Sequence, residues 1–363
     1  MNLIKFAIIG VATAATALAS CTSGKQADET VSGLNPARFD SIVNNKKGAL
    51  YTLKNSNGME GCITNFGGRV VSLVVPDAKG KPTDVVLGYD NLKQYTDSVN
   101  SPSDFGSSVG RYANRIGGGK LTVAGKTYQL PQNNFGHCLH GGPSGWIYQV
   151  YDADQPNDST LVLTLVSPDG DNNFPGTVTA HTTYKVLSNN TLDITFDATT
   201  DKETVVNMTN HSYFNLNGDP SKEGTNMWLY INADNFTPAD STYMTTGEIR
   251  PVEGTPMDFR KAHALEETIN DTSFEQIRNA SGYDHNWCLN TYKDGKGNDT
   301  EVWAVLWSPV TKIGLSMYTN EPGVQVYTGN FQGTGVSCKH GIKYPKHVSV
   351  CLESQKYPDS PNK

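Results

Sequence analysis

Val205-Val206-Asn207-Met208-Thr209-Asn210-His211-Ser212-Tyr213-Phe214-Asn215-Leu216 puts hydrogen-bonding groups into the middle of a β-prone run. Read with a period of two, Val206 and Met208 share one face, and Asn207, Thr209, His211 and Tyr213 share the other. One face suits a core. The other carries a histidine, whose charge changes near neutrality. Alone, such a histidine is most simply a hydrogen-bonded member of a half-buried sheet. A second run near the C-terminus changes that reading. In His347-Val348-Ser349-Val350-Cys351-Leu352-Glu353-Ser354-Gln355, Val348, Val350 and Leu352 face one way, and His347, Ser349, Cys351, Glu353 and Gln355 the other. A mid-strand carboxylate among apolar neighbours is paired, working, or an edge charge that deters aggregation.

Working outward, short β-prone runs separated by turn residues fill the chain. Leu50-Tyr51-Thr52-Leu53 gives way to Asn55-Ser56-Asn57-Gly58, and Ala124-Gly125-Lys126 separates Leu121-Thr122-Val123 from Thr127-Tyr128-Gln129-Leu130. Helices are expected only near Asn91-Tyr95 and Ala264-Asn270. The length of 363 residues alone would allow two domains, but no composition break or fixed repeat divides the chain. The expected fold class is all-β: one large antiparallel β-sandwich over residues 38–363 with few short helices.

A net charge of -7 without a Lys/Arg cluster argues against nucleic acid and against an electrostatic membrane patch. Residues 1–20 have a short positive start, an apolar run from Phe6 to Leu18 and the ending Leu18-Ala19-Ser20-Cys21. That pattern resembles a bacterial lipoprotein leader, cleaved before Cys21 and acylated on it. It implies a lipid anchor to a membrane, in the bacterial cell envelope on the periplasmic face or outer membrane, with 21–37 as a flexible tether. Cys62, Cys138, Cys288, Cys338 and Cys351 are odd in number and scattered, so buried thiols are expected rather than a disulfide framework.

Three loops add polar groups. Arg111-Tyr112-Ala113-Asn114-Arg115-Ile116-Gly117-Gly118-Gly119-Lys120 lacks the phosphate-loop spacing, because Leu121 stands where Ser or Thr is needed. Its glycines fit a bulge that aims Asn114 and Arg115. His137-Cys138-Leu139-His140-Gly141-Gly142 raises the question of zinc, but no helix aligns the donors, and no metal is expected. His140 fits better as a fixed hydrogen-bond partner on a backbone that a ligand can approach closely. Asp284 in Tyr283-Asp284-His285-Asn286 reads alone as a turn residue, and Gln325 shares a face with Tyr327 in Gly323-Val324-Gln325-Val326-Tyr327.

Together the segments resemble the aldose 1-epimerase, or galactose mutarotase, family. The matching stretches are Gly110-Arg111 with Ala113-Asn114-Arg115-Ile116, Leu139-His140-Gly141-Gly142, Asn210 to Leu216, and Thr237-Pro238 with Thr246-Gly247-Glu248. They continue with Tyr283-Asp284-His285-Asn286, Pro322 to Asn330, and Tyr344-Pro345-Lys346-His347 running into Cys351-Leu352-Glu353. The resemblance implies a β-supersandwich with an open groove and free hexoses such as glucose and galactose as partners. It further implies Glu353 as base, His211 as acid, and Arg115, His140, Asp284, Gln325 and Asn114 as substrate-binding residues, with no cofactor. Trp146, Tyr213 and Trp287 are candidates to stack on a sugar, with core packing the competing fate of each. Thr245 stands in place of a common proline and is expected to loosen its loop; Trp287, in place of phenylalanine, is expected to alter an aromatic wall.

Two other classes compete. A silent sugar-binding module on the same scaffold would not need a matched acid and base. A glycoside-processing enzyme wants two carboxylates, for which Asp284 is the sequence's candidate partner to Glu353.

Overall fold

Strands with one apolar face must bury it against another layer, and here the three main sheets do so around a shared core. The computed structural model describes residues 2–8 and 29–363. The largest antiparallel sheet runs Asp152–Asn157, Thr160–Ser167, Val178–Val186, Thr191–Thr200, Asn2–Ile8, Gly314–Thr319, Ala304–Trp307, Trp228–Ile231 and His263–Ala264. A six-stranded sheet runs Tyr213–Phe214, Val350–Gln355, Gly323–Tyr327, Asp284–Cys288, Asn235–Thr237 and Arg250–Pro251. Leu50–Lys54, Glu60–Thr64, Arg69–Pro76 and Pro82–Asp84 form a third. Leu163 and Ile194 of the first, Val326 and Leu352 of the second, and Ile63 and Leu73 of the third join in the core. Each such side chain, fully buried, contributes roughly 1.5–3 kcal/mol. The expected antiparallel β architecture is what forms.

The sheets differ in how they treat their second face. Val178–Val186 alternates buried and half-buried positions, as a half-solvated strand should. Gly323–Tyr327 and Val350–Gln355 are buried throughout. Their polar side chains, Gln325 and Glu353 among them, are therefore taken out of water and need partners.

The opening stretch is not one strand. Thr209–His211 pairs with Ser107–Val109, setting His211 opposite Ser107. Tyr213–Phe214 pairs instead with the final strand, setting Tyr213 opposite Cys351. At the switch, the Ser212 amide and hydroxyl both donate to Asn210 Oδ1, at 3.1 and 2.6 Å, so local bonds replace the ladder. In the C-terminal run the strand begins only at Val350; Val348 packs in a second apolar cluster with Cys351 rather than beside Val350.

Leu92–Thr96 is helical, with Asn91 Oδ1 accepting from the Gln94 amide at 3.0 Å. The helix expected near Ala264-Asn270 is a single 3-10 turn, Leu265–Glu267, and a short helix at Glu275–Ala280 was not expected. Both are too short for an apolar period to identify them.

At the N-terminus, Asn2–Ile8 lies antiparallel between Thr191–Thr200 and Gly314–Thr319, a sheet position that cleavage before Cys21 would vacate. Cys21 and most of the expected leader and tether lie outside the described residues. Residues 30–34, read as tether, are tied down: Leu34 is buried, and the Val31 amide donates to Glu60 Oε1 at 2.7 Å.

Candidate functional site

Register carries distant residues onto one face of the six-stranded sheet. Gln325 lies opposite Glu353 on one side and Asn286 on the other; Tyr327 lies likewise between Cys351 and Asp284. The Thr209–His211 strand adds its imidazole above this face. His211 Nε2 stands 3.4 Å from Glu353 Oε1, and both side chains are almost wholly buried. They face a cavity of about 470 Å³, whose lining includes Asn114, Arg115, His140, Asp284 and Gln325 as well. All seven residues named from the sequence as catalytic or substrate-binding therefore meet in one place.

The polar groups are held by bonds that leave other atoms aimed inward. The Asn114 amide donates to His140 Nδ1 at 3.1 Å, and the His140 amide donates back to the Asn114 carbonyl at 3.0 Å. An acceptor at Nδ1 puts the ring proton on Nε2, making that nitrogen a donor and a poor metal ligand. Gly141 follows with φ +83°, where a Cβ would meet the Gly110 carbonyl oxygen at 2.4 Å. The close approach permitted by this glycine is thus to the protein's own backbone. Gln325 Nε2 donates to Asp284 Oδ1 at 2.7 Å, and Arg115 donates to Asn134 Oδ1 at 2.9 and 3.2 Å while lying over the Tyr243 ring. Glu353 Oε2, Gln325 Oε1 and His211 Nδ1 are buried without a hydrogen-bond partner. At a pocket wall, such atoms are available to a polar ligand.

Burial governs the charges. It pulls the His140 pKa down to about 3, so that ring is neutral. It also holds His211 below the ordinary histidine value, against the opposing pull of Asp104. Glu353 is pushed well above the carboxylate range, first by burial and then by the negative charges of Asp284 and Asp104, with Arg115 opposing. Asp284 is raised by burial too, with Arg115 and Gln325 opposing. A carboxylate and an imidazolium that simply stabilise each other are thus only part of the picture. Burial favours the neutral form of each partner.

Several sequence expectations fall elsewhere. Trp146 and Trp287 are core residues; the Trp287 indole donates to the Met257 carbonyl at 3.0 Å and forms no pocket wall. Tyr213 does line the pocket, its ring stacked on His211 with centroids 4.9 Å apart. Thr245 is buried and donates to the Pro358 carbonyl at 3.1 Å, so its loop is pinned rather than loosened. His137 bonds to Thr242 Oγ1 at 2.8 Å, and Cys138 packs among Ile116 and Leu121, so neither converges with His140. All five described cysteines are buried with free thiols. Sequence reasoning missed Asp104, Tyr327 and Phe331, which also line the pocket. The alternation that placed Tyr327 beside Gln325 was a usable signal; for Asp104, in an irregular loop, there was none.

Residues 49–363 match the family model described as aldose 1-epimerase. The chain belongs to this family. It is 39% identical over 300 residues to the galactose mutarotase of Mus musculus, covering 83% of each chain. To the aldose 1-epimerase of Escherichia coli (strain K12) it is 36% identical over 314 residues, covering 86% of this chain and 87% of the relative. Among solved structures, the aldose epimerase homologue from C. elegans superposes with a TM-score of 0.78 at 28% identity, covering 87% of this chain and 91% of that one.

In this aldose 1-epimerase fold, Glu353 carries a stability cost that fixes one expected outcome. Its folded-state pKa lies above the unfolded one, so the stability it contributes is full below the ordinary carboxylate range and is lost as pH rises through the folded value. Glu353→Gln removes that loss. Thermal unfolding of the variant is expected a few degrees above wild type at neutral pH, the gap closing in acid; a variant less stable at neutral pH would contradict the assignment.

Proposed function

We propose that the protein is an aldose 1-epimerase that interconverts the α and β anomers of free hexoses such as glucose and galactose. The observation that carries this reading is the buried acid–base pair, His211 and Glu353, 3.4 Å apart at the pocket. Anomer exchange opens a hemiacetal, and the anomeric hydroxyl and ring oxygen that must lose and gain a proton are bonded to the same carbon. An acid and a base serving two oxygens of one carbon have to stand this close.

Glu353 as carboxylate takes the proton of the anomeric hydroxyl while His211 as imidazolium protonates the ring oxygen. The C–O bond between C1 and the ring oxygen breaks, and C1 becomes the free aldehyde. Rotation about C1–C2 presents the other carbonyl face. His211 then recovers its proton from the attacking hydroxyl, and Glu353 returns its own to the new anomeric oxygen. The protein ends in its starting protonation state, so the cycle consumes no cofactor. The neutral His140 donates from Nε2–H near the reacting end, beside Asn114. Arg115, Asp284 and Gln325 hold the remaining hydroxyls, and the buried, unpaired Gln325 Oε1 makes loss of its hydroxyl costly.

Polarimetry of freshly dissolved α-glucose and α-galactose tests the reading. Wild type is expected to accelerate the approach to equilibrium, with Glu353→Gln and His211→Asn each folded and slower by about 10²–10⁴ in kcat. Wild type without acceleration would leave a sugar-binding module instead.

We also propose that the chain is processed before Cys21 and lipid-anchored in the bacterial cell envelope, on the pattern Leu18-Ala19-Ser20-Cys21. Growth on radiolabelled palmitate should label wild type and leave Cys21→Ser unlabelled; equal labelling of the two, or none, would sink the anchor.

A further inference from the structure

Besides the two candidate proton carriers and the sugar-holding groups, the pocket contains a half-buried carboxylate that the mechanism above does not use. One ligand-bearing atom each of Asp104, His140 and His211 lies within 4.8 Å of the other two. Asp104 is not there by drift. The buried Arg69 guanidinium donates to the carbonyls on either side of it, Ser103 at 3.1 Å and Phe105 at 3.2 Å. The Asp104 carbonyl accepts from the Ser107 amide at 3.1 Å and its hydroxyl at 2.9 Å. Two residues on, the Gly106 amide donates to the His211 carbonyl at 2.9 Å. The loop carrying the carboxylate and the strand carrying the imidazole are therefore one hydrogen-bonded unit.

We propose that Asp104 is a positioning residue for the proton of His211: its carboxylate, held beside the two imidazoles, opposes the effect of their burial and favours the imidazolium that protonates the ring oxygen. The other groups facing His211 do not do this. His140 is neutral, Tyr213 and Tyr327 offer rings at 4.9 and 6.3 Å, and Arg69 repels an imidazolium. Around Glu353, Asp284 and Arg115 act with opposite signs, and Cys351 on its own strand is held as a neutral thiol by burial. Asp104 is the leading charge favouring protonation of His211, whereas at Glu353 Asp284 acts more strongly than Asp104. A neutral residue at 104 lowers the proton affinity of both partners, so both limbs of the pH–rate profile move acidward and the imidazolium form of His211 becomes scarcer.

The inference rests on the epimerase reading, and its test separates the two. Wild type, Asp104→Asn and Asp104→Glu are compared by polarimetric pH–rate profiles and by ¹⁵N NMR of the histidine ring nitrogens without sugar. For Asp104→Asn the alkaline limb is expected at lower pH, with kcat/KM down about tenfold near pH 8, KM within about twofold, and His211 nitrogen signals shifted toward neutral imidazole. Asp104→Glu is expected to restore both the limb and the signals. Unmoved His211 signals in Asp104→Asn, a pH-independent loss confined to KM, or equal shifts in the Asn and Glu variants would overturn the proposal. A wild type silent in polarimetry would instead overturn the epimerase reading, while the ring nitrogens still report the effect of Asp104 on His211.

Discussion

A carboxylate and an imidazole shut out of water 3.4 Å apart form the constraint around which the rest of this molecule is arranged. Removing charges from water costs several kcal/mol per ion, and a pair recovers that only with good geometry and satisfied neighbours. A sheet with one wet face would not have met the difficulty. Here the six-stranded sheet is covered on both sides, one by the apolar core and the other by loops. The second covering turns a row of ordinary polar side chains into a site.

Each loop over that face is fixed by bonds to something rigid. Arg69 clamps the carbonyls of Ser103 and Phe105, and the Asn114 backbone is locked to the backbone and ring of His140. The chain break at Ser212 matters for the same reason. It lets His211 belong to one pairing and Tyr213 to another, so the imidazole stands above the strand of Glu353 while Tyr213 pairs within its sheet and stacks beneath it. Preorganisation of this kind lets donors and acceptors meet a substrate without rearranging first.

Much of this was legible in the chain. Alternation placed Glu353 opposite Val350 and Leu352, and Gln325 opposite Val324 and Val326, and these are the faces the strands adopt. The family's motifs brought Arg115, His140, Asp284 and His211 into one candidate set. What alternation could not show was how the chain leaves a strand. The switch at Ser212 and the late start of the final strand at Val350 depend on side-chain to backbone bonds that a period of two does not register. Asp104 was invisible for a related reason: its position follows from Arg69, a buried cation 35 positions earlier in the chain. Trp146 and Trp287 went the other way, because an aromatic residue near polar motifs reads alike whether it lines a pocket or fills a core.

If Glu353 and His211 are the proton carriers, one sugar carbon must sit between them. A crystal structure with galactose bound measures this directly. A Glu353 oxygen is expected within about 3 Å of the anomeric hydroxyl, and a His211 nitrogen within about 3 Å of the ring oxygen. A sugar seated with its anomeric carbon facing Arg115 and Asp284, out of reach of both proton carriers, would contradict it.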